Sequence, residues 1–370
     1  MKTKNQKIDL SKSAILLLIF IIPLFIISFN IKSTAAEQAE ISGEYGADLI
    51  YENDEHRWRE KIFLDLKIEK DLKNNLNIYL NPELKFNSFY KNDEKERELD
   101  FKTEEAYINY YTRMIDWRFG RQILSWGSSY NINPTNYLNK IDRESLDPLE
   151  NREGVDAVKA VYYPSFTYDV EAVISYRDDV DELQQALKIT RRRWYGYDFS
   201  FSIFNGNSLN QLPMMGNYIY PEVEKAGLDF KGDFSNYEIG LFSELVYSNF
   251  KNERLENTTE FVLGMDYKFE NNLYLVGQYY FQELPAANLE ANKLFMLHAD
   301  KPFMYFHSWE LNLLYDLDNN MSLLRPKIIY SLKRNLDIEI GAVVKLNESR
   351  TSNLNRFNEE LTYLSITKYF

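Results

Sequence analysis

Two glutamates and three arginines lie close together between positions 104 and 121. The acidic pair is Glu104 and Glu105, and the basic residues are Arg113, Arg118 and Arg121. Opposed carboxylate and guanidinium groups can set an electric field across a narrow water-filled passage. They can equally neutralise one another as ion pairs that brace a wall. The sequence leaves both interpretations open.

The geometry of an extended strand complicates the arginine cluster. Side chains of a strand point alternately to its two faces. Arg118 and Arg121 therefore fall on opposite faces, and both can face the same side only if a bulge intervenes. Gly120, between them, is the candidate position for such a bulge.

A second basic group is the run of three arginines at 191–193, followed by Trp194 and Tyr195. Such a run could attract anionic solutes or the phosphates of lipopolysaccharide. Positive charge beside aromatic residues at a strand end also anchors a protein at a membrane interface, and we favour this interpretation. Lys188 and Arg192 alternate with the apolar Leu187 and Ile189, so we expect these two cations to face water.

The long polar segment 128–154 contains several carboxylates, among them Asp142, Glu144 and Asp147. A loop of this length can fold inward and present an acidic constriction. Carboxylate oxygens also bind divalent cations, but the segment lacks the spacing of a calcium-binding loop. We therefore expect no metal site. The simplest alternative to an inward acidic constriction is a loop that extends into solvent.

The residues offer little for catalysis. The chain has three histidines, His56, His298 and His307. His307 and Ser308 are adjacent in an expected strand, so they point to opposite faces and cannot act together as base and nucleophile. His298 is expected in a loop near Asp300, without an obvious serine partner. No phosphate-binding glycine motif or metal-binding histidine spacing is present, so we predict neither enzymatic activity nor a cofactor.

A two-residue alternation runs through the chain and determines how these groups are positioned. In 167–177 the even positions are Tyr168, Val170, Ala172, Ile174 and Tyr176, and the odd positions are mostly polar. Such strands have one apolar and one wet surface. The expected strands are 40–51, 57–69, 75–88, 99–113, 115–126, 155–163, 167–178, 185–192, 196–205, 222–232, 236–248, 258–269, 273–283, 303–316, 321–332, 336–347 and 361–370.

Charge recurs on the second face of nearly every expected strand. In a soluble sandwich the apolar faces would pack against each other, whereas in a membrane barrel they contact hydrocarbon and the charged faces line a lumen. We predict an all-β fold, a single transmembrane antiparallel up-and-down barrel of about 16 strands, with 14 to 18 open. Short periplasmic turns and long extracellular loops should alternate. Because 17 segments is an odd number, we expect an extra or missing strand within 283–316.

The N-terminus has the pattern of a secretory signal peptide, residues 1–36. Four lysines precede a nearly unbroken apolar stretch, 14–29, and small residues follow at 33–36. An uncleaved membrane anchor is the alternative. Cleavage would remove five Lys and one Asp, which lowers the net charge from −13 to about −17. This acidity argues against nucleic acid as a partner, and residues 37–370 would form the barrel.

The stretch 116–164 resembles a known family. Its motifs are Asp-Trp-Arg-Phe-Gly-Arg-Gln-Ile-Leu-Ser-Trp-Gly at 116–127, Asn-Ile-Asn-Pro-Thr at 131–135, Asp-Pro at 147–148, Gly-Val-Asp-Ala-Val at 154–158 and Tyr-Tyr-Pro at 162–164. Together they resemble the strand–loop–strand signature of Gram-negative outer-membrane porins of the alginate-export type, and Leu-Arg-Pro at 324–326 also fits. The resemblance covers 100–178 and 320–370 by motif and the middle by pattern alone.

This resemblance implies a cell outer-membrane location and a single-chain channel for passive diffusion of small hydrophilic or charged solutes, including anionic sugars. Its expected partners are outer-membrane lipid, lipopolysaccharide and the barrel-assembly machinery, with a homotrimer also considered. Terminal Phe370 matches the assembly signal, although Lys368 occupies a position that is usually apolar. A structural or adhesive barrel without an open pore and, least favoured, a barrel hydrolase are the alternatives.

Overall fold

The computed structural model describes residues 39–53, 55–91, 94–130, 132–141, 151–178, 180–209, 212–214, 217–234, 239–285, 291–304, 306–347 and 360–370. The expected signal peptide, 1–36, lies outside the described residues. In the described part of the chain no helix is long and apolar enough to cross a bilayer.

The described residues form twenty β-strands. They are β1 (Glu40–Glu52), β2 (Arg57–Lys73), β3 (Leu76–Lys91), β4 (Glu94–Tyr111), β5 (Ile115–Gln122), β6 (Val155–Ser165), β7 (Tyr168–Arg177), β8 (Glu182–Trp194), β9 (Tyr197–Asn207), β10 (Leu212–Met214), β11 (Asn217–Ile219), β12 (Glu222–Phe234), β13 (Ile239–Phe250), β14 (Thr258–Lys268), β15 (Tyr274–Gln282), β16 (Asn292–Phe303), β17 (His307–Asp316), β18 (Met321–Lys333), β19 (Leu336–Leu346) and β20 (Leu361–Tyr369).

Eighteen of these strands form one closed antiparallel barrel. Each pairs with its neighbours in sequence, and β1 pairs with both β2 and β20, which closes the sheet. The short hairpin β10–β11 is not one of the wall strands, and within the wall β9 pairs directly with β12. Closure leaves no unpaired edge, which a membrane barrel requires.

Because the number of wall strands is even, the start of β1 and the end of β20 lie at the same end of the barrel. The turns at this end are short, as at 74–75, 166–167 and 334–335, whereas the opposite end carries the long connections 123–154, 208–221 and 347–360. This asymmetry matches short periplasmic turns and long extracellular loops. We name the two ends accordingly.

The barrel has 18 strands, within the range that the sequence leaves open. The strand missing from the expected set is β16, which lies within 283–316 as anticipated. With β16 in the wall, the turn at 318–320 between β17 and β18 lies at the extracellular end. Asn320 there has φ +54°, a left-handed conformation that Asn tolerates.

The alternation of faces agrees with the sequence pattern. On β14 the outward Leu263 is 61% exposed, while the inward Val262 is 1% exposed. On β7 Tyr168, Val170, Ala172, Ile174 and Tyr176 share the outer face, as the sequence predicts. The outer face is therefore an apolar band suited to lipid, and the functional residues must be sought on the lumen face.

Candidate functional site

Residues 123–130 and 132–141, which follow β5, fold back into the barrel, and we call them the inward loop. Leu124, Trp126 and Tyr137 on this loop are only 2–3% exposed. They pack with lumen-facing apolar residues, including Val173 on β7 and Phe204 on β9. The segment that the sequence leaves as either solvated or inward thus occupies the lumen in its described part.

Glu244 on β13 fixes the inward loop to the wall. Its Oε1 accepts hydrogen bonds from the backbone amides of Ser128 and Ser129, both at 2.8 Å. Its Oε2 accepts from the backbone amide of Thr135 at 2.9 Å and from the Thr135 hydroxyl at 2.8 Å. Four donors around one buried carboxylate offset the cost of removing its charge from water.

A second set of contacts holds the loop against β15 and β16. The Tyr130 amide donates to Gln278 Oε1 at 3.2 Å, and Gln278 Nε2 donates to the Ile132 carbonyl at 3.3 Å. The Tyr130 hydroxyl lies 3.0 Å from His298 Nε2, and His298 Nδ1 lies 2.7 Å from Asn312 Oδ1. The loop therefore crosses the lumen from β5 to the opposite wall.

The loop also contacts β7, β9 and β12. The Trp126 indole donates to Glu171 Oε1 at 2.8 Å. The Tyr137 hydroxyl lies 3.0 Å from Ser202 Oγ and against the backbone of Gly227, where a Cβ atom would collide with it. Burial raises the pKa of the Tyr137 phenol well above its ordinary value, so this group stays neutral.

Apolar contacts narrow the lumen on the far side of the loop as well. A buried cluster lines the wall from β13 round to β1, and Ile132 of the inward loop packs against it. Its members include Phe242, Val262, Val276, Met296, Leu314 and Val343. The inward loop and this cluster thus fill part of the lumen near the middle of the strands, where Glu244 and Gln278 lie.

On β5 and β6, between the start of the inward loop at 123 and the periplasmic end, the lumen face carries two cations, and we call this part of the lumen the vestibule. Arg118 on β5 and Lys159 on β6 stand directly opposite each other in the strand register, and both are partly exposed. Side chains in such a pair lie about 5 Å apart at Cβ. Arg118 donates to Asn109 Oδ1 at 2.8 Å and stacks on the Tyr107 ring at 4.0 Å.

Two glutamates, Glu105 and Glu171, lie close enough to act on Lys159 electrostatically, but they do not form an ion pair with it. Among the described residues, neither Arg118 nor Lys159 has a carboxylate within ion-pair distance. Two adjacent cations that face water without a carboxylate partner form a favourable contact for a passing anion. Lys159 is not among the residues predicted from the sequence, although it is the one charged residue between the apolar Ala157 and Val161 on its strand face.

The other members of the predicted arginine cluster lie apart. Arg121 is on the outer face, where its Nη1 lies 3.6 Å from Asp156 Oδ2. Arg113 is exposed in the periplasmic turn between β4 and β5. The β4–β5 register is continuous through Gly120, so no bulge brings Arg118 and Arg121 to one face; Gly120 has φ +120° instead.

The two glutamates of the predicted cluster also have local roles. Glu104 occupies a bulge in β4 opposite the Asn81–Pro82 step and lies 2.8 Å from Lys102 Nζ. Glu105 Oε1 accepts a hydrogen bond from the Ile123 amide at 3.0 Å, where the inward loop begins. The described contacts show neither glutamate paired with Arg118.

The remaining predicted site residues divide between the lumen and the undescribed part of the chain. Lys188 faces the lumen on β8, with its Nζ 3.4 Å from Asp229 Oδ2 and 5.9 Å from the Trp126 ring. Arg192 lies at the periplasmic end of β8, 2.9 Å from Asp169 Oδ2. Asp142, Glu144 and Asp147 lie outside the described residues.

The three histidines occupy unrelated environments. His298 is in strand β16, which corrects its expected place in a loop, and its hydrogen-bond partners are Tyr130, Asn312 and Asp300. His307 is on the outer face, stacked on Tyr330 with ring centroids 3.8 Å apart. His56 lies in the turn that follows β1. In these described contacts no serine hydroxyl bonds a histidine ring.

Comparison with protein-family models and with curated proteins finds no match. Solved structures do match over almost the whole barrel. Pseudomonas aeruginosa OccK5 (OpdH) has a TM-score of 0.59 at 8% identity, covering 90% of this chain and 97% of its own. P. aeruginosa OccK7 (OpdD) has a TM-score of 0.58 at 9% identity, covering 91% and 99%.

A third match comes from another organism. Acinetobacter baumannii OccAB1 has a TM-score of 0.57 at 9% identity, covering 92% of this chain and 98% of its own. These neighbours are outer-membrane porins. At such low identity the likeness concerns the fold, and the chain therefore has the fold of an outer-membrane porin with a closed 18-stranded barrel.

Proposed function

We propose that this protein is an outer-membrane channel through which small hydrophilic or charged solutes diffuse passively. The observation that carries the proposal is a closed barrel with an apolar outer face, a charged lumen face and an inward loop anchored across the lumen. Water and solutes need a polar path through the bilayer, and the charged vestibule offers one.

The proposal extends to solute charge. Arg118 and Lys159 line the vestibule, and they favour anions there. The resemblance of 116–164 to alginate-export porins supports the same direction, so we propose acidic monosaccharides as one solute class. The chain as a whole is acidic, which does not decide the sign, because selectivity depends on the charges that line the narrow path.

Liposome swelling tests both the proposed channel and its proposed preference for anions. Proteoliposomes with the purified barrel should swell in isotonic glucose and faster in glucuronate, whereas protein-free liposomes should not swell. Equal rates for the two sugars would reject the anionic preference and leave the channel standing. No swelling with either sugar, from protein that migrates as a folded barrel on unboiled detergent gels, would favour a structural or adhesive barrel.

We also propose that the protein is not an enzyme. The histidine contacts support this, since the partners of His298 are Tyr130 of the inward loop and Asn312 and Asp300 of the wall. A barrel hydrolase would turn over ester or peptide substrates and would lose that activity on His298→Ala. A homotrimer and dependence on the barrel-assembly machinery remain proposals for cross-linking and for depletion experiments, respectively.

A further inference from the structure

Arg191, at the periplasmic end of the outer face, differs from three outer cations at the extracellular end. Those three have carboxylate partners: Arg121 lies 3.6 Å from Asp156, Lys251 lies 3.3 Å from Glu222 and Lys293 lies 2.9 Å from Asp318. At the periplasmic end Arg191 faces outward without such a partner among the described residues. We therefore expect the counter-charge of Arg191 to come from a group outside the chain.

Arg191 is held in a defined position by aromatic rings. Its guanidinium lies 4.8 Å from the Tyr168 ring centroid and 5.8 Å from that of Trp194, and it donates a hydrogen bond to the Tyr168 hydroxyl. Trp194 is 47% exposed and Tyr195 is 87% exposed. We call Tyr168, Arg191, Trp194 and Tyr195 the Arg191 patch.

Two carboxylates close to the patch in sequence have other partners. Asp169 points into the lumen, where it pairs with Arg192 at 2.9 Å. Asp198 accepts a hydrogen bond from the Arg193 amide at 2.8 Å. Arg191 pairs in register with Tyr168 on one side and Phe199 on the other, so it stands on the lipid-facing surface.

The level of the patch in the membrane identifies the ligand. It lies in the last residues of β8 before a periplasmic turn, at the depth where aromatic belts meet lipid headgroups. A guanidinium presents several donors in a planar fork that matches a phosphate group. Exposed Trp and Tyr rings suit the glycerol and upper acyl region of the same lipid.

We propose that the Arg191 patch binds the phosphodiester headgroup of a glycerophospholipid in the periplasmic leaflet. The phosphate replaces the carboxylate that the extracellular-end cations possess, and the aromatic rings orient the lipid beside the barrel. The inference rests on the position of the barrel in the membrane and not on conduction. A non-conducting barrel could still bind the lipid, and a conducting one could fail to do so.

Native mass spectrometry of the detergent-solubilised full barrel tests the proposal. The probe is dioleoylphosphatidylglycerol, with dioleoylglycerol as the matched lipid without phosphate. Arg191→Gln should weaken phosphatidylglycerol binding at least about fivefold, the loss expected for one basic residue at an anionic lipid surface. Arg121→Gln, which removes an outer-face arginine that has its own carboxylate, should leave binding unchanged.

Several results would overturn the assignment. They are equal phosphatidylglycerol binding by Arg191→Gln and the wild type, equal binding of dioleoylglycerol and phosphatidylglycerol, and displacement of the lipid by inorganic phosphate at comparable concentration. If Arg191→Gln does not migrate as a folded barrel, Arg191→Lys replaces it. That variant keeps the charge and loses the fork, so it should bind more weakly than the wild type, and unchanged binding would contradict the proposal.

Discussion

Thr135 on the inward loop and Glu244 on β13 are joined by two hydrogen bonds to a single carboxylate oxygen, from the Thr135 amide at 2.9 Å and its hydroxyl at 2.8 Å. With the two serine amides on the other oxygen, all four bonds connect one side chain of the wall to one segment of the lumen. The width of the lumen beside the inward loop therefore depends on a buried carboxylate far away in sequence from the loop that it holds.

Glu244→Gln should release the inward loop. The amide group places N–H donors against backbone N–H donors, so at least one pair of bonds is lost, which we expect to destabilise the loop by about 3 kcal/mol. Hydrogen exchange of the peptides from 128–141 should become faster, and single-channel current should become noisier.

The matched control for that variant is Glu260→Gln. Glu260 lies on the lumen face of the neighbouring strand β14, where it accepts a hydrogen bond from the Tyr280 hydroxyl at 3.0 Å but none of the four that residues 128–135 donate to Glu244. Hydrogen exchange of the 128–141 peptides in Glu260→Gln should match that of the wild type. Equal protection of the loop in Glu244→Gln and the wild type would contradict the anchoring role.

Gly227→Ala should displace the loop from the β12 wall. A Cβ at this position would collide with the Tyr137 hydroxyl and crowd Ser202 Oγ. Overpacking of this kind costs about 1–3 kcal/mol, so the midpoint of thermal unfolding should fall. Gly277→Ala on β15, where a Cβ would meet nothing within 4 Å, should leave the midpoint unchanged. A similar midpoint for both variants would show that Tyr137 does not occupy the described position.

Leu263→Arg tests which surface contacts lipid. Leu263 lies in the middle of β14 on the outer face, and an arginine at the bilayer midplane destabilises a barrel by about 2–4 kcal/mol. Thr259→Arg, on the same face near the extracellular end of β14, should cost at most about 1 kcal/mol. Urea titrations of both variants in liposomes measure the difference. Equal stabilities would argue that this face does not cross a bilayer.

The sequence specified the wall of the barrel better than its interior. Period-two alternation is local, so β7 and β14 could be assigned with the correct outer face. Strand β16 was missed because Asn292, Lys293 and His298 make its N-terminal part resemble a polar loop. Pairing with β15 and β17 places these residues on the lumen face and at the rim, and that pairing cannot be read from the local sequence.

The site could be predicted only in part, since it depends on contacts that are distant in sequence. Arg118 was identified from its residue type, but its neighbour Lys159 is set beside it by the β5–β6 register. Glu244 carries no sequence signal at all, because the donors that surround it come from the inward loop. Arg121 was grouped with Arg118 on proximity, although strand geometry separates the two faces.

Lys159→Glu should shift ion preference towards cations. The substitution changes the charge at this position by two units, and near a hydrated path each unit charge at about 4 Å contributes about 1 kcal/mol, so relative permeability should change by at least about fivefold. Reversal potentials in asymmetric KCl measure the shift. Arg121→Gln on the outer face should show the wild-type value. A reversal potential in Lys159→Glu equal to that of the wild type would place the ion path elsewhere.

The most direct test of the account is planar-bilayer recording of the purified wild-type barrel. We predict stepwise increases of current as single barrels insert, with a steady conductance after each step. Protein that migrates faster before boiling than after it on detergent gels, and that inserts without any such steps, would contradict the channel and leave a barrel closed by its own inward loop.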